Sequence, residues 1–117
     1  MKTLLRSGLL VMVLLLDGET AIAQPTTTFG GSDCGQWTYQ QTEIRKAWLT
    51  GFLSGMNTGW LTGQQPGTKI GPLTKLNSAE QAFLWMDKYC RAHPLDSVGT
   101  GAISLFTVLY LELTKQK

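Results

Sequence analysis

Apolar positions fall into four blocks along the chain, each with its own spacing. The first, Gly8 to Leu16, is unbroken and follows Lys2 and Arg6. The second repeats every four residues: Trp48-Leu49-Thr50-Gly51, Phe52-Leu53-Ser54-Gly55, Met56-Asn57-Thr58-Gly59 and Trp60-Leu61-Thr62-Gly63. The third places Ala82, Trp85, Met86, Tyr89 and Cys90 at helical spacing. The fourth does the same with Val98, Ala102, Leu105, Phe106, Leu109 and Leu113. Together they predict an all-α protein: a small disulfide-closed bundle of three to four helices after a cleaved signal peptide.

The tetrads set the first helix, from about Gly35 to Gly63. Residues four apart share a ridge of a helix. One ridge carries Trp48, Phe52, Met56 and Trp60, which makes it the candidate interface. The ridge beside it is bare, with Gly51, Gly55, Gly59 and Gly63, and reads as a close-packing ridge for another helix. Each interior glycine costs about 1 kcal/mol relative to alanine, so close packing recovers the loss or the helix breaks. A strand also fits the repeat, because four is a multiple of two. A membrane-associating segment is a further alternative, since small residues four apart pack membrane helices and no charge occurs between Lys46 and Lys69. Pro66-Gly67 and Gly71-Pro72 break the chain afterwards, and Ile70, Leu73 and Leu76 are expected to pack this connection onto the core. Ser78 and Gln81 have capping-box spacing for the second helix, which Pro94 ends near His93. Asp96 is the expected N-cap of the third.

The opening block changes the setting. Ala21-Ile22-Ala23 offers a small-x-small cleavage pattern after the apolar run, so residues 1–23 read as a secretion signal. A membrane span needs about 20 apolar residues, and Asp17 and Glu19 stop this run early. Residues 24–33 read as a flexible lead-in and 34–117 as the helical domain. The formal net charge is only +2, with no basic stripe, so a nucleic-acid partner has no electrostatic footprint. Export makes a Cys34–Cys90 disulfide the default for the chain's two cysteines. Periplasm is the expected location.

Candidate chemistry is thin. Cys90 and His93 form C-x-x-H, half of a zinc pattern that needs four ligands. A cysteine nucleophile with His93 as base requires a free Cys90. Neither fits a disulfide, so no catalytic residue, metal or cofactor is expected. Trp37, Trp48, Trp60 and Trp85 serve either as core filler or as interface anchors.

Three segments carry a resemblance: Cys34-Gly35-Gln36-Trp37, then Trp48-Leu49-x-Gly51-Phe52-x-Ser54-Gly55-x-Asn57, then Trp85-x-x-x-Tyr89-Cys90-Arg91-x-x-Pro94-Leu95. In order and spacing they resemble small bacterial exported two-cysteine helical proteins of uncharacterised role. The layout is similar to HdeA/HdeB-type periplasmic acid-stress chaperones and to immunity proteins that neutralise type VI secretion effectors. The resemblance spans roughly residues 34–113. It implies a non-enzymatic periplasmic protein with a dedicated protein partner, as an immunity protein or an accessory of a conjugation or secretion apparatus. A holdase-type chaperone is the first alternative and a membrane-active exported protein the second.

Overall fold

The structure, a computed structural model, describes residues 29–39 and 42–115. The expected signal peptide and the start of the lead-in lie outside these residues. Four α-helices follow in order: α1 Cys34–Tyr39, α2 Glu43–Thr62, α3 Ala79–Ala92 and α4 Val98–Thr114, with a 3₁₀ turn at Pro72–Lys75 between α2 and α3. The all-α architecture is as the periodicity predicts.

Each start has a local cause. Asp33 Oδ1 accepts from the Gln36 amide at 2.7 Å, while Gln36 Oε1 accepts from the Asp33 amide at 3.3 Å. That reciprocal pair is a capping box opening α1. Thr42 caps α2 by accepting from Arg45 N at 3.3 Å. Ser97 caps α4, its Oγ accepting from Thr100 N at 3.0 Å. The expected cap Asp96 instead accepts the Tyr89 hydroxyl at 2.6 Å. At α3 the side chain of Ser78 makes no capping bond, and Gln81 Oε1 accepts from Asn77 N at 2.7 Å.

The first helix does not break among its glycines. The interruption lies earlier, between Tyr39 and Glu43, and α2 runs through Gly51, Gly55 and Gly59 to Thr62. Its tertiary contacts offset the glycine cost: Leu49 and Leu53 are buried, and Trp48 and Phe52 pack against the core. Helices within proteins owe most of their stability to such packing.

Trp37, Leu49, Met86, Val98, Ala102 and Leu105 are all at most 1% exposed and form the centre of the core. Burying a large apolar side chain of this kind contributes about 1.5–3 kcal/mol. Leu73 and Leu76 pack against this core, whereas Ile70 stays 60% exposed. Cys34 and Cys90 are disulfide-bonded, with Cα atoms 4.8 Å apart, tying the start of α1 to the end of α3. The last lead-in residues are tied as well. Cys34 N donates to Asp96 O and Val98 N to Ser32 O, both at 2.9 Å, around an Asp33–Ser97 bridge.

Close packing at a glycine occurs on α4. A Cβ on Gly101 would lie 2.7 Å from Met86 Sδ and 2.8 Å from Tyr89 Cδ1, so α3 crosses α4 where only a hydrogen fits. The same test at Gly51, Gly55 and Gly59 finds nothing within 4 Å among the described residues. The described helices therefore leave the expected close-packing ridge of α2 open, because the core lies on the opposite side, at Leu49 and Leu53.

Candidate functional site

The four-residue spacing brings the predicted interface residues together. Trp48 and Phe52 stack with ring centres 5.0 Å apart and planes 15° apart. Trp48 is anchored from behind, its Nε1 donating to the Phe29 carbonyl at 2.6 Å. Met56 and Trp60 continue the row, and all four side chains are half-buried. Trp60 meets Tyr110 of α4 edge-to-face, with centres 6.3 Å apart and an interplanar angle of 61°.

Tyr110 opens a surface that the core pattern did not show. Helix α4 carries a single charged residue, Glu112, along its length. A helix that buries one stripe shows polar residues on the opposite face. Here the outer side also exposes Ile103 at 38%, Val108 at 43%, Tyr110 at 41% and Leu111 at 52%, among the exposed Thr100, Thr107 and Thr114. The signal was present in the sequence as an excess of apolar residues over what one buried stripe needs.

The remaining flank of α2 is polar but short. Thr50, Ser54, Thr58 and Thr62 each donate to the carbonyl four residues back, at 2.9, 2.7, 3.0 and 2.8 Å. Each hydroxyl proton is thus used within the helix. With the open glycines beside it, this flank presents a smooth, uncharged surface to solvent.

The C-x-x-H pair is divided between two roles. Cys90 is in the disulfide and is neither a nucleophile nor a ligand. His93 stacks on Tyr89 with ring centres 4.3 Å apart, and its Nδ1 lies 3.0 Å from Tyr89 O. Tyr89 also stacks on Trp85, 5.2 Å away, completing a three-ring column on α3. Burial, and then the hydrogen bond to Asp96, raise the Tyr89 pKa above its ordinary 10.0. Glu112 is shifted the other way, lowered chiefly by the hydrogen bond from Lys115. Among the described residues no cluster of His, Cys, Asp and Glu could hold a metal ion. Nor is any described helix long and apolar enough to cross a membrane.

Compared with known protein families, curated proteins and solved structures, the chain matches none.

Proposed function

We infer that this is a non-enzymatic, exported protein-binding domain whose contact surface is the aromatic row of α2 together with the outer side of α4. The observation that carries the reading is the exposure of Ile103, Val108, Tyr110 and Leu111 on a helix with one charge. Contiguous exposed apolar surface marks interaction sites. Trp48 supports it further, because a pre-anchored indole loses little conformational freedom on binding. The Cys34–Cys90 bond belongs to an oxidising, non-cytoplasmic compartment. The periplasm, and a dedicated partner that is either a neutralised effector or a component of a transfer or secretion apparatus, are the finer parts of the proposal.

The test is affinity capture of the tagged exported protein from the periplasm, set beside an Ile103→Asp/Leu111→Asp variant. One partner in near-stoichiometric yield, lost with the variant while helicity is retained, is the expected result. A scatter of unrelated proteins would replace the dedicated partner with a holdase role. A partner retained equally by the variant would remove α4 from the surface.

A further inference from the structure

We propose that the open cleft where the last turns of α2 and α4 meet the 64–75 connection binds a neutral saccharide chain. The cleft encloses about 730 Å³, inside the roughly 300–1,000 Å³ range of small-ligand sites. This goes beyond the protein-partner reading; it shares Trp60 and Tyr110 with that surface, and a sugar-binding readout tests it separately.

Trp60 and Tyr110 both line the cleft. Their edge-to-face contact at 61° leaves ring faces that neither covers for the other. Ile70, which the connection leaves 60% exposed, lines the same cleft. Around these apolar surfaces stand Gln64, Gln65, Thr68 and Thr74. Carboxamides and hydroxyls both donate and accept hydrogen bonds; Thr74 Oγ1 already donates to Gly71 O at 2.7 Å and Gln64 Nε2 to Trp60 O at 3.4 Å, so these two serve chiefly as acceptors. A pyranose ring has the complementary make-up. Its face of C–H bonds packs on an aromatic ring, and its rim of hydroxyls needs partners that donate and accept.

Charge in the cleft is sparse. Lys75 is the one charged side chain among the described lining residues. Glu112 lies within reach of its field. The two helices that border the cleft present their C-terminal ends, at Gly63 and Lys115, rather than their N-terminal ends. Carbonyl-rich helix ends do not attract anions. One cation without a helix N-terminus is a weak site for a phosphorylated or nucleotide ligand, whereas an uncharged polyhydroxylated one suits the mostly neutral lining. An N-acetylated sugar adds an acetamide that suits the carboxamides of Gln64 and Gln65.

The experiment uses the disulfide-closed protein and the β-1,4-linked tetrasaccharide of N-acetylglucosamine, read by saturation-transfer NMR on the sugar. Transfer to the sugar ring protons is expected. Trp60→Ala and the surface pair Gln64→Ala/Gln65→Ala should each weaken binding by about tenfold or more. Leu95→Ser, at a residue 98% exposed and outside the cleft, should leave it unchanged. The glutamine pair is exposed, so its effect does not depend on the fold surviving a tryptophan loss. No transfer at millimolar tetrasaccharide would overturn the proposal. So would binding that Trp60→Ala and the glutamine pair leave intact, or that Leu95→Ser abolishes equally.

Discussion

Gly101 and Gly55 both sit inside helices, yet a methyl group added to each has opposite consequences. At Gly101 the new Cβ meets Met86 and Tyr89 of the packed α3. Overpacking of this kind costs about 1–3 kcal/mol, against which alanine returns at most about 1 kcal/mol of helix propensity. At Gly55 the Cβ meets nothing within 4 Å, so only the propensity gain remains. Urea unfolding should therefore show Gly101→Ala destabilised and Gly55→Ala stabilised by about 0.5–1 kcal/mol. If Gly55→Ala also weakens partner capture, the open ridge is part of the contact surface. Asn57 makes a related point. It interrupts the leucines of the tetrad repeat because its Oδ1 accepts from Leu73 N at 3.2 Å, clipping the 3₁₀ turn to α2. Gly71 lies against the same amide with no room for a side chain. Asn57→Leu should restore the repeat and still cost about 1–2 kcal/mol in the same assay, because the clip and its close glycine contact are lost.

At the scale of elements, what could be read from the sequence depended on how one-sided each helix is. Helix α3 was legible because Ala82, Met86 and Cys90 are buried on one side while Glu80, Lys88 and Arg91 stay in water. The start of α2 was not, because a lone Thr42 is a weak signal beside four glycines that suggest a break. The α1 capping box, Asp33 with Gln36, has its spacing in the sequence, but no apolar periodicity follows it in so short a helix to mark it as a start. The row Trp48, Phe52, Met56 and Trp60 was legible from spacing alone. Its partner Tyr110 was not, because that contact depends on how α2 and α4 lie against each other. The α3 column has its own consequence. Tyr89 resists ionisation when folded, through burial and its bond to Asp96. Its folded pKa is thus above the unfolded one. The stability this represents is fully present below pH 10.0 and is lost as pH rises through the higher folded value. Stability measured by urea titration should fall above pH 10.0, and Tyr89→Phe should flatten that fall.

For the molecule as a whole, the decisive link ties the start of α1 to the end of α3. Cys34 and Cys90 are 56 residues apart in sequence. Closing a loop of that size removes unfolded-chain entropy worth about 4 kcal/mol in the chain-entropy model. Small domains are stable by only about 5–15 kcal/mol, so this is a large share. The effect is also localised. Helix α1 has six residues, too few to persist alone. It buries Trp37 completely, and the Trp37 indole donates to Asp87 Oδ1 of α3 at 2.8 Å. The disulfide sits one turn from that contact and holds α1 where the indole can enter the core. A Cys34→Ser/Cys90→Ser variant should therefore lose about 4 kcal/mol in urea unfolding. Its Trp37 indole N–H should exchange with solvent far faster than in the oxidised protein. A loss below about 1 kcal/mol with the indole still protected would instead mean that the bridge at Asp33–Ser97 and the Trp37–Asp87 bond suffice to hold α1. A full loss of stability with slow indole exchange up to global unfolding would show that α1 and the remaining helices melt as one cooperative unit.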